Sequence, residues 1–404
     1  MAGGGYSLLL NGQQADDTLY TLIAAVEVEE SMDLPAAVQI TLPVSRASGG
    51  DLTYVADPRF APLAPVAVVT RAGGSGAAGV TPGAVGATAA AVSGGAAPVA
   101  TQCLFDGYVL SQKLHLETGL TNATLTVWGQ DACWLMNQTE KVREWVDVTD
   151  SQVAASIFGD YGITPSGDNA QDDSPSHTED THSLMQRGSD IAFLRTLARR
   201  SGKLCRVACA AQPGVRTGYF AVPNLDGEPA VTITLNDPTN WTVSAIDLDW
   251  DASRPTAVTA RAALFSDPDA NGAVGDSTDS GLAALGARTL ATFAGQPMTV
   301  LLASVVDSAG ELLQRAQGVL SETNWFVRCE GDADVERLGV VLRAGMLVAL
   351  VGVGAVHSGN WLVWTVRHRL TQEAHKMTFT LLRNAVGAQP AGASGGLSAM
   401  VGAS

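Results

Sequence analysis

The chain is short of charge, and of lysine above all. Of 404 residues only 16% are charged, and Lys113, Lys141, Lys203 and Lys376 are the sole lysines among 24 basic and 40 acidic side chains, a net charge of −16. That balance argues against a nucleic-acid-coating role, because phosphate binding draws its affinity from Lys and Arg neutralising charge. The arginines are scattered. The densest set, Arg367 and Arg369 around His368, alternates along a strand-like run as one solvated face would. Apolar residues make up 46%, an ordinary share for a globular chain, so wholesale disorder is excluded as well.

Cysteine is scarce and odd in number. Cys103, Cys133, Cys205, Cys209 and Cys329 contain no CxxC pair, which points to reduced, mostly buried thiols in a cytosolic protein rather than a disulfide framework. Cys205 and Cys209 share a face at a spacing of four, yet two thiols without a second pair make a poor zinc site. Long apolar runs are missing too. The longest uncharged one, Ala344 to Val356, falls short of the roughly 18 residues of a spanning helix. The opening text, MAGGGYSLLLNGQQADD, lacks the basic start of a secretory signal. The expectation is a protein with no membrane span that works where it is made or leaves as part of a particle.

Catalytic signatures are equally thin. No GxSxG occurs, and Ser75 in GGSGA lacks the last glycine. GVGAVHSG puts His357 where a dinucleotide loop needs its third glycine and leads into a strand, so a hairpin turn explains it. Neither HExxH nor a phosphate-binding GxxxxGK[ST] is present. The densest chemical cluster is an acidic loop, with Asp168, Asp172, Asp173, Glu179 and Asp180 around His177 and His182. A divalent cation or a paired-carboxylate hydrolase needs such groups, but EF-hand spacing is absent and the Ser, Pro, Thr and Asn content is that of a solvated loop. The expectation is therefore no catalytic residue, no cofactor and no metal, with interaction residues unassigned.

What is present is β pattern. Val26 and Val28 alternate with Glu27 and Glu29, and AVQITLPV follows, as half-buried strands require. PVAVVT and CLFDGYVLSQKLHL flank residues 71–100, which hold eight Gly and eleven Ala and no large side chain after Arg71. Such text has nothing to offset the entropy of ordering, so it reads as a flexible insertion enlarging a hairpin loop. Helices are expected at SQVAASIFGDYG with Thr149 or Asp150 capping, at SDIAFLRTLARRSG with Ser189 capping and Gly202 terminating, and at SAGELLQRAQGVLSETN. A closing meander runs MLVALVGVG, NWLVWTVRHRL, KMTFTLLRN, with Leu362, Trp364, Val366 and Leu370 expected on one face. Trp128, Trp134, Trp145, Trp325, Trp361 and Trp364 are read chiefly as strand core, with interface anchoring as the alternative.

The chain thus divides into two β-rich blocks, 1–145 and 235–386, around a small α/β insert at 146–234, with 387–404 a disordered tail by composition. The fold class is mainly β (α+β).

The ordered texts LFDGYVLSQKLHL, LTVWGQDACWLMNQ, VTDSQVAASIFGDYGI, SLMQRGSDIAFLRTLARRSGKLCRV and LGVVLRAGMLVALVGVG followed by HSGNWLVWTVRHRL resemble the phage late control D family. That family includes the baseplate hub of contractile phage tails and the hub part of type VI secretion spikes and extracellular contractile injection systems. The resemblance spans about residues 105 to 386 and rests on Phe105 to Gly107, the helix Ser189 to Ala198, and the closing hairpin. It implies two β-barrel-like hub domains per subunit. Three copies would then mimic six-fold shape, a homotrimer between a hexameric tail tube above and a trimeric spike below. It also implies other baseplate proteins as partners, no sequence recognition of nucleic acid, assembly in the bacterial cytoplasm, and a structural rather than enzymatic role. Only Gly/Ala/Ser-rich text follows Val386, so the spike is expected to be a separate chain. The competing reading is a cell-wall hydrolase at the tip, using Asp172 or His177.

Overall fold

The computed structural model describes residues 5–71, 101–170, 174, 176–179, 183–262, 273–304, 306 and 308–388. The Gly/Ala insertion beyond Arg71, the tail from 389, and Asp172, Asp173, Asp180 and His182 lie outside the described residues.

The alternating texts fold as strands, and the molecule is mainly β. Its largest unit is one 13-stranded sheet. From one edge it runs Ile246–Trp250, Val327–Asp334, His375–Arg383 and Gly359–Leu370, all from the second block. It continues without a break into Ala25–Ser31, Ala37–Pro43, Thr124–Asp131, Thr101–His115, Pro65–Arg71, Tyr6–Leu10 and Gln13–Gln14 of the first. The expected hairpin across the Gly/Ala insertion is there, with Arg71 opposite Thr101.

The sheets do not close into barrels, which corrects the barrel-like expectation. The cause lies in the twelve-residue strand Gly359–Leu370. Its first half pairs with Leu347–Val351, while its second half pairs with Ala25–Ser31 of the other block. A strand edge engaged by the other block is not free to close its own.

The core follows this continuity. Leu8, Val28, Ile40, Val68 and Phe105 belong to the same buried cluster as Trp361, Val363, Val366, Phe379 and Leu381. Burying apolar area at about 25 cal/mol per Å² is the main force holding the blocks together. A bulge between Val363 and Thr365 divides the face expected for the middle meander strand. Val366 and Leu370 join Trp361 and Val363 in the main core, whereas Leu362 and Trp364 turn to a second cluster with Trp325 and Leu347. One extra residue reverses the side on which every residue before it falls.

A separate buried cluster is built on Ile157, Phe158, Leu194, Leu197 and Phe220, and it takes in Ala132, Cys133, Met136 and Trp145 from before position 146. Helix Asp150–Asp160 starts with a capping box: Gln152 N donates to Thr149 Oγ1 at 3.3 Å, and Thr149 N donates to Gln152 Oε1 at 2.9 Å. Helix Asp190–Arg200 stops before Gly202, whose φ of +69° suits glycine. Ser189 sits at its N-cap but makes no side-chain cap bond, and its hydroxyl donates to Asn137 Oδ1 at 2.7 Å. The third expected helix is Ala309–Thr323, capped by Ser308 and packed over Val258 and Ala260. Among the described residues no helix is long and apolar enough to cross a membrane.

Candidate functional site

The seam between the blocks is where chemistry concentrates. Across it the register sets Arg367 against Glu29, His368 against Val28 and Arg369 against Glu27. On the solvent face Arg367 Nη2 donates to Glu29 Oε2 at 2.7 Å, and Arg369 lies 3.9 Å from Glu27. On the core face His368 is fully buried, with its Nδ1 3.0 Å from His375 Nε2. The His375 Nδ1 in turn lies 3.4 Å from the Thr70 hydroxyl of the first block. Burial lowers His375 to about 4 and holds His368 well below the ordinary imidazole range. Both rings are neutral near pH 7, as a desolvated imidazole must be.

Beside the seam is a polar crevice of about 400 Å³, counted to its open mouth, where all three segments meet. Arg343 Nε donates to both Glu30 carboxylate oxygens at 2.6 and 2.9 Å, joining the second block to the first. Arg216 Nε donates to Asp106 Oδ2 at 2.8 Å, and the Cys209 thiol donates to the Cys103 carbonyl at 2.8 Å, joining the insert to the first. Arg206 stacks 4.3 Å over the Tyr219 ring. Burial raises the Asp131 carboxyl to about 6, against the backbone N–H groups of Ala36 and Cys133 that it accepts. These charges largely pair with one another, which suits a joint. The Cys103 thiol, beside Cys209 and buried, is pushed far above its ordinary value and is no nucleophile at neutral pH.

The acidic loop breaks up in three dimensions. His177 is buried with its Nε2 2.7 Å from Asp150 Oδ1, and Arg200 Nη2 donates to the same oxygen at 3.1 Å. The imidazole ties the loop to the first turn of one helix and the last turn of the next. A pocket of about 220 Å³ there is completed by Glu311 and Arg315 of the second block. Asp168 lies elsewhere, accepting from Ser166 Oγ at 3.2 Å, and among the described residues Glu179 pairs with neither His177 nor Asp168. Sequence reasoning had Asp150 as a cap candidate and missed it as the partner of His177. No signal in one sequence links positions 27 apart. The cysteines are free thiols, and among the described residues no group of three or more His, Cys, Asp or Glu is placed to hold a metal.

Of the six tryptophans singled out, Trp145, Trp325 and Trp361 are core, and Trp128 is exposed. Two further exposed aromatics, Trp250 and Phe293, lie at a sheet edge. Among the described residues, strand Ile246–Trp250 pairs with Val327–Asp334 on one side only. Its Trp250 is 43% exposed and meets Phe293 at 5.6 Å, with the Arg288 guanidinium 4.7 Å over the Phe293 ring. The opposite edge of the sheet is sealed. There the Tyr20 hydroxyl accepts from Leu8 N at 2.7 Å and Ala15 N donates to Leu8 O at 2.8 Å. At the end of the first block, strand Glu140–Trp145 has Leu184–Ser189 of the insert as its one strand partner among the described residues, and its Val142 is 79% exposed.

The architecture is that of solved tail proteins. A tail protein from Neisseria meningitidis MC58 is similar with a TM-score of 0.62 at 12% identity, over 95% of this chain and 97% of that one. The 43 kDa tail protein of prophage MuSo2 from Shewanella oneidensis is similar with a TM-score of 0.59 at 13% identity, over 95% and 99%. The c3393 protein of E. coli, described as a type VI secretion component structurally similar to T4 tail proteins gp27 and gp5, follows at 0.52 and 14%, over 95% and 79%. At such identities the likeness is one of fold. No curated protein matches. The family model that matches, over residues 98–372, is described as the Alg8 N-terminal domain, a name that states no chemistry. That match takes in well over half of the residues, so the chain belongs to the Alg8 N-terminal domain family.

Proposed function

We propose that the chain is a structural baseplate hub of a contractile tail or injection system, a homotrimer that adapts a hexameric tail tube to a trimeric spike. The observation that carries this reading is the end-to-end fold likeness to the Neisseria tail protein, which covers 95% of this chain and 97% of that one. Blocks 1–145 and 235–386 serve as the two hub domains, with 146–234 as the insert between them. A sheet shared by both blocks supports the reading, because it holds the two at one angle, as a rigid adaptor requires. In this reading, which agrees with the late control D resemblance, the partners are a tube protein above, a separate spike chain below and other baseplate proteins. Assembly takes place in the bacterial cytoplasm, and the product is a particle component without enzymatic activity.

Light scattering and electron microscopy on the purified protein test it. The expected result is a three-copy ring that co-purifies with tube and spike, and gene deletion that removes assembled particles. A protein that stays monomeric at every concentration and never co-purifies with either neighbour defeats it.

A further inference from the structure

The two ends of the large sheet are treated differently. The end at Tyr6–Leu10 is sealed by Tyr20 and Ala15. At the other end, the outward backbone groups of Ile246–Trp250 make no hydrogen bond among the described residues. An unpaired edge of this kind is a template for another strand. Its two faces differ in chemistry. Asp247 and Asp249 are exposed on the solvent face, and neither has an ion-pair or hydrogen-bond partner among the described residues. Leu248 and Trp250 alternate with them on the other face, beside the exposed Phe293.

Two such edges do not suit one another. Paired face to face, they would set Asp247 and Asp249 of one copy against the same residues of the next, and like charges opposite each other across strands destabilise pairing. An isologous dimer through this edge is therefore disfavoured. The matching strand lies elsewhere on the same chain. Glu140–Trp145 has an unpaired edge among the described residues. One face carries Lys141, held by Asp190 at 2.5 Å, and Arg143, 46% exposed and 3.8 Å from Asp160, and the other carries Val142 between Glu140 and Glu144. Laid beside Ile246–Trp250, it brings the Arg143 guanidinium to the two unpartnered carboxylates and covers Leu248 with Val142, the most exposed large apolar side chain described.

We propose that the Glu140–Trp145 strand of one copy adds to the Ile246–Trp250 edge of the next. This is a heterologous contact, repeated around the axis until the ring closes. It rests on the trimeric hub reading and supplies that reading's interface. Each copy offers one edge and accepts one strand, so closure leaves neither exposed.

Charge reversal in the full-length protein, read by sedimentation, separates the outcomes. Asp249→Arg and Arg143→Asp are each expected to weaken association at least tenfold, and the two together to restore it. Asp247→Arg repeats the test at a second position, and circular dichroism on each variant establishes that it is folded. If the unaltered protein forms trimers and every folded variant does so with the same affinity, the interface is overturned and the hub reading stands. If the unaltered protein is monomeric at every concentration, both fall. Loss in the single variants without recovery in the double variant also overturns the strand pairing.

Discussion

Arg367 and Glu29 stand 338 positions apart in the chain and 2.7 Å apart across the seam between the two β blocks. Beside them Arg369 faces Glu27. One strand brings only acids to the solvent face at this point, the other only arginines, and the register that matches them also places Val28 and Val26 against His368 and Leu370 on the core face. A slip of one residue would reverse both faces at once.

Reversing that charge tests its weight. Arg367→Glu sets like charges across the seam, and because the side chains are 57% and 41% exposed the loss is expected to be modest, about 0.2–1 kcal/mol. Glu29→Arg combined with Arg367→Glu recovers most of it. Urea titration of the four proteins gives the coupling.

The buried counterpart weighs more. Glu30→Gln leaves the Arg343 guanidinium, 18% exposed, without its carboxylate, and breaking a buried pair by removing one partner costs about 3–5 kcal/mol. Glu30→Leu with Arg343→Met removes both charges and is expected to cost less than the single change. Chemical denaturation decides it, and a single variant as stable as the parent refutes the account.

Acid is expected to loosen the seam. The folded pKa of His375 is about 4 and that of His368 is lowered as well, whereas unfolded histidine sits near 6.5. Between those values the unfolded chain binds more protons, so stability present above about pH 6.5 is lost as pH falls towards 4, by up to about 1.4 kcal/mol per pH unit for each ring. Asp131, raised to about 6, acts in the opposite sense, favouring the folded state as pH falls through that value. Melting temperature is therefore expected to fall between pH 6.5 and 4.5, less in a His368→Gln, His375→Gln double variant and more in Asp131→Asn. A parent and double variant with parallel profiles would contradict this.

Arg383 closes the end of the described chain. It is fully buried and donates to the carbonyls of Leu285, Val356, His357, Ser358 and Gly387. Burial lowers it to about 10, so the guanidinium stays charged at neutral pH. Gly359, with φ +130°, makes room, since a Cβ there would lie 2.7 Å from Arg383 Nη2. Arg383→Met strands those acceptors and is expected to cost at least about 3 kcal/mol. Hydrogen exchange should show protection lost first in the small sheet of Arg288–Thr289 with Ala385–Val386. Protection unchanged there would refute the clasp.

Local sequence determined the elements. The alternation at Val26 to Glu29 and at Val366 to Arg369, the capping box at Thr149 and the hairpin across residues 71–100 are short-range patterns, and each was legible because its physics is complete within a few residues. Only the tertiary structure decided which strand meets which. Alternation puts Glu30 on the inward face with Val26 and Val28, yet only the fold brings it the Arg343 that pairs with it there. His177 reads as one of an acidic cluster, yet its partner is Asp150. The bulge at Val363 to Thr365 moves Leu362 and Trp364 away from the face that simple alternation assigns them. Each of these outcomes depends on groups brought together by burying apolar surface, and that force acts on proximity in space, which one chain's local pattern does not encode.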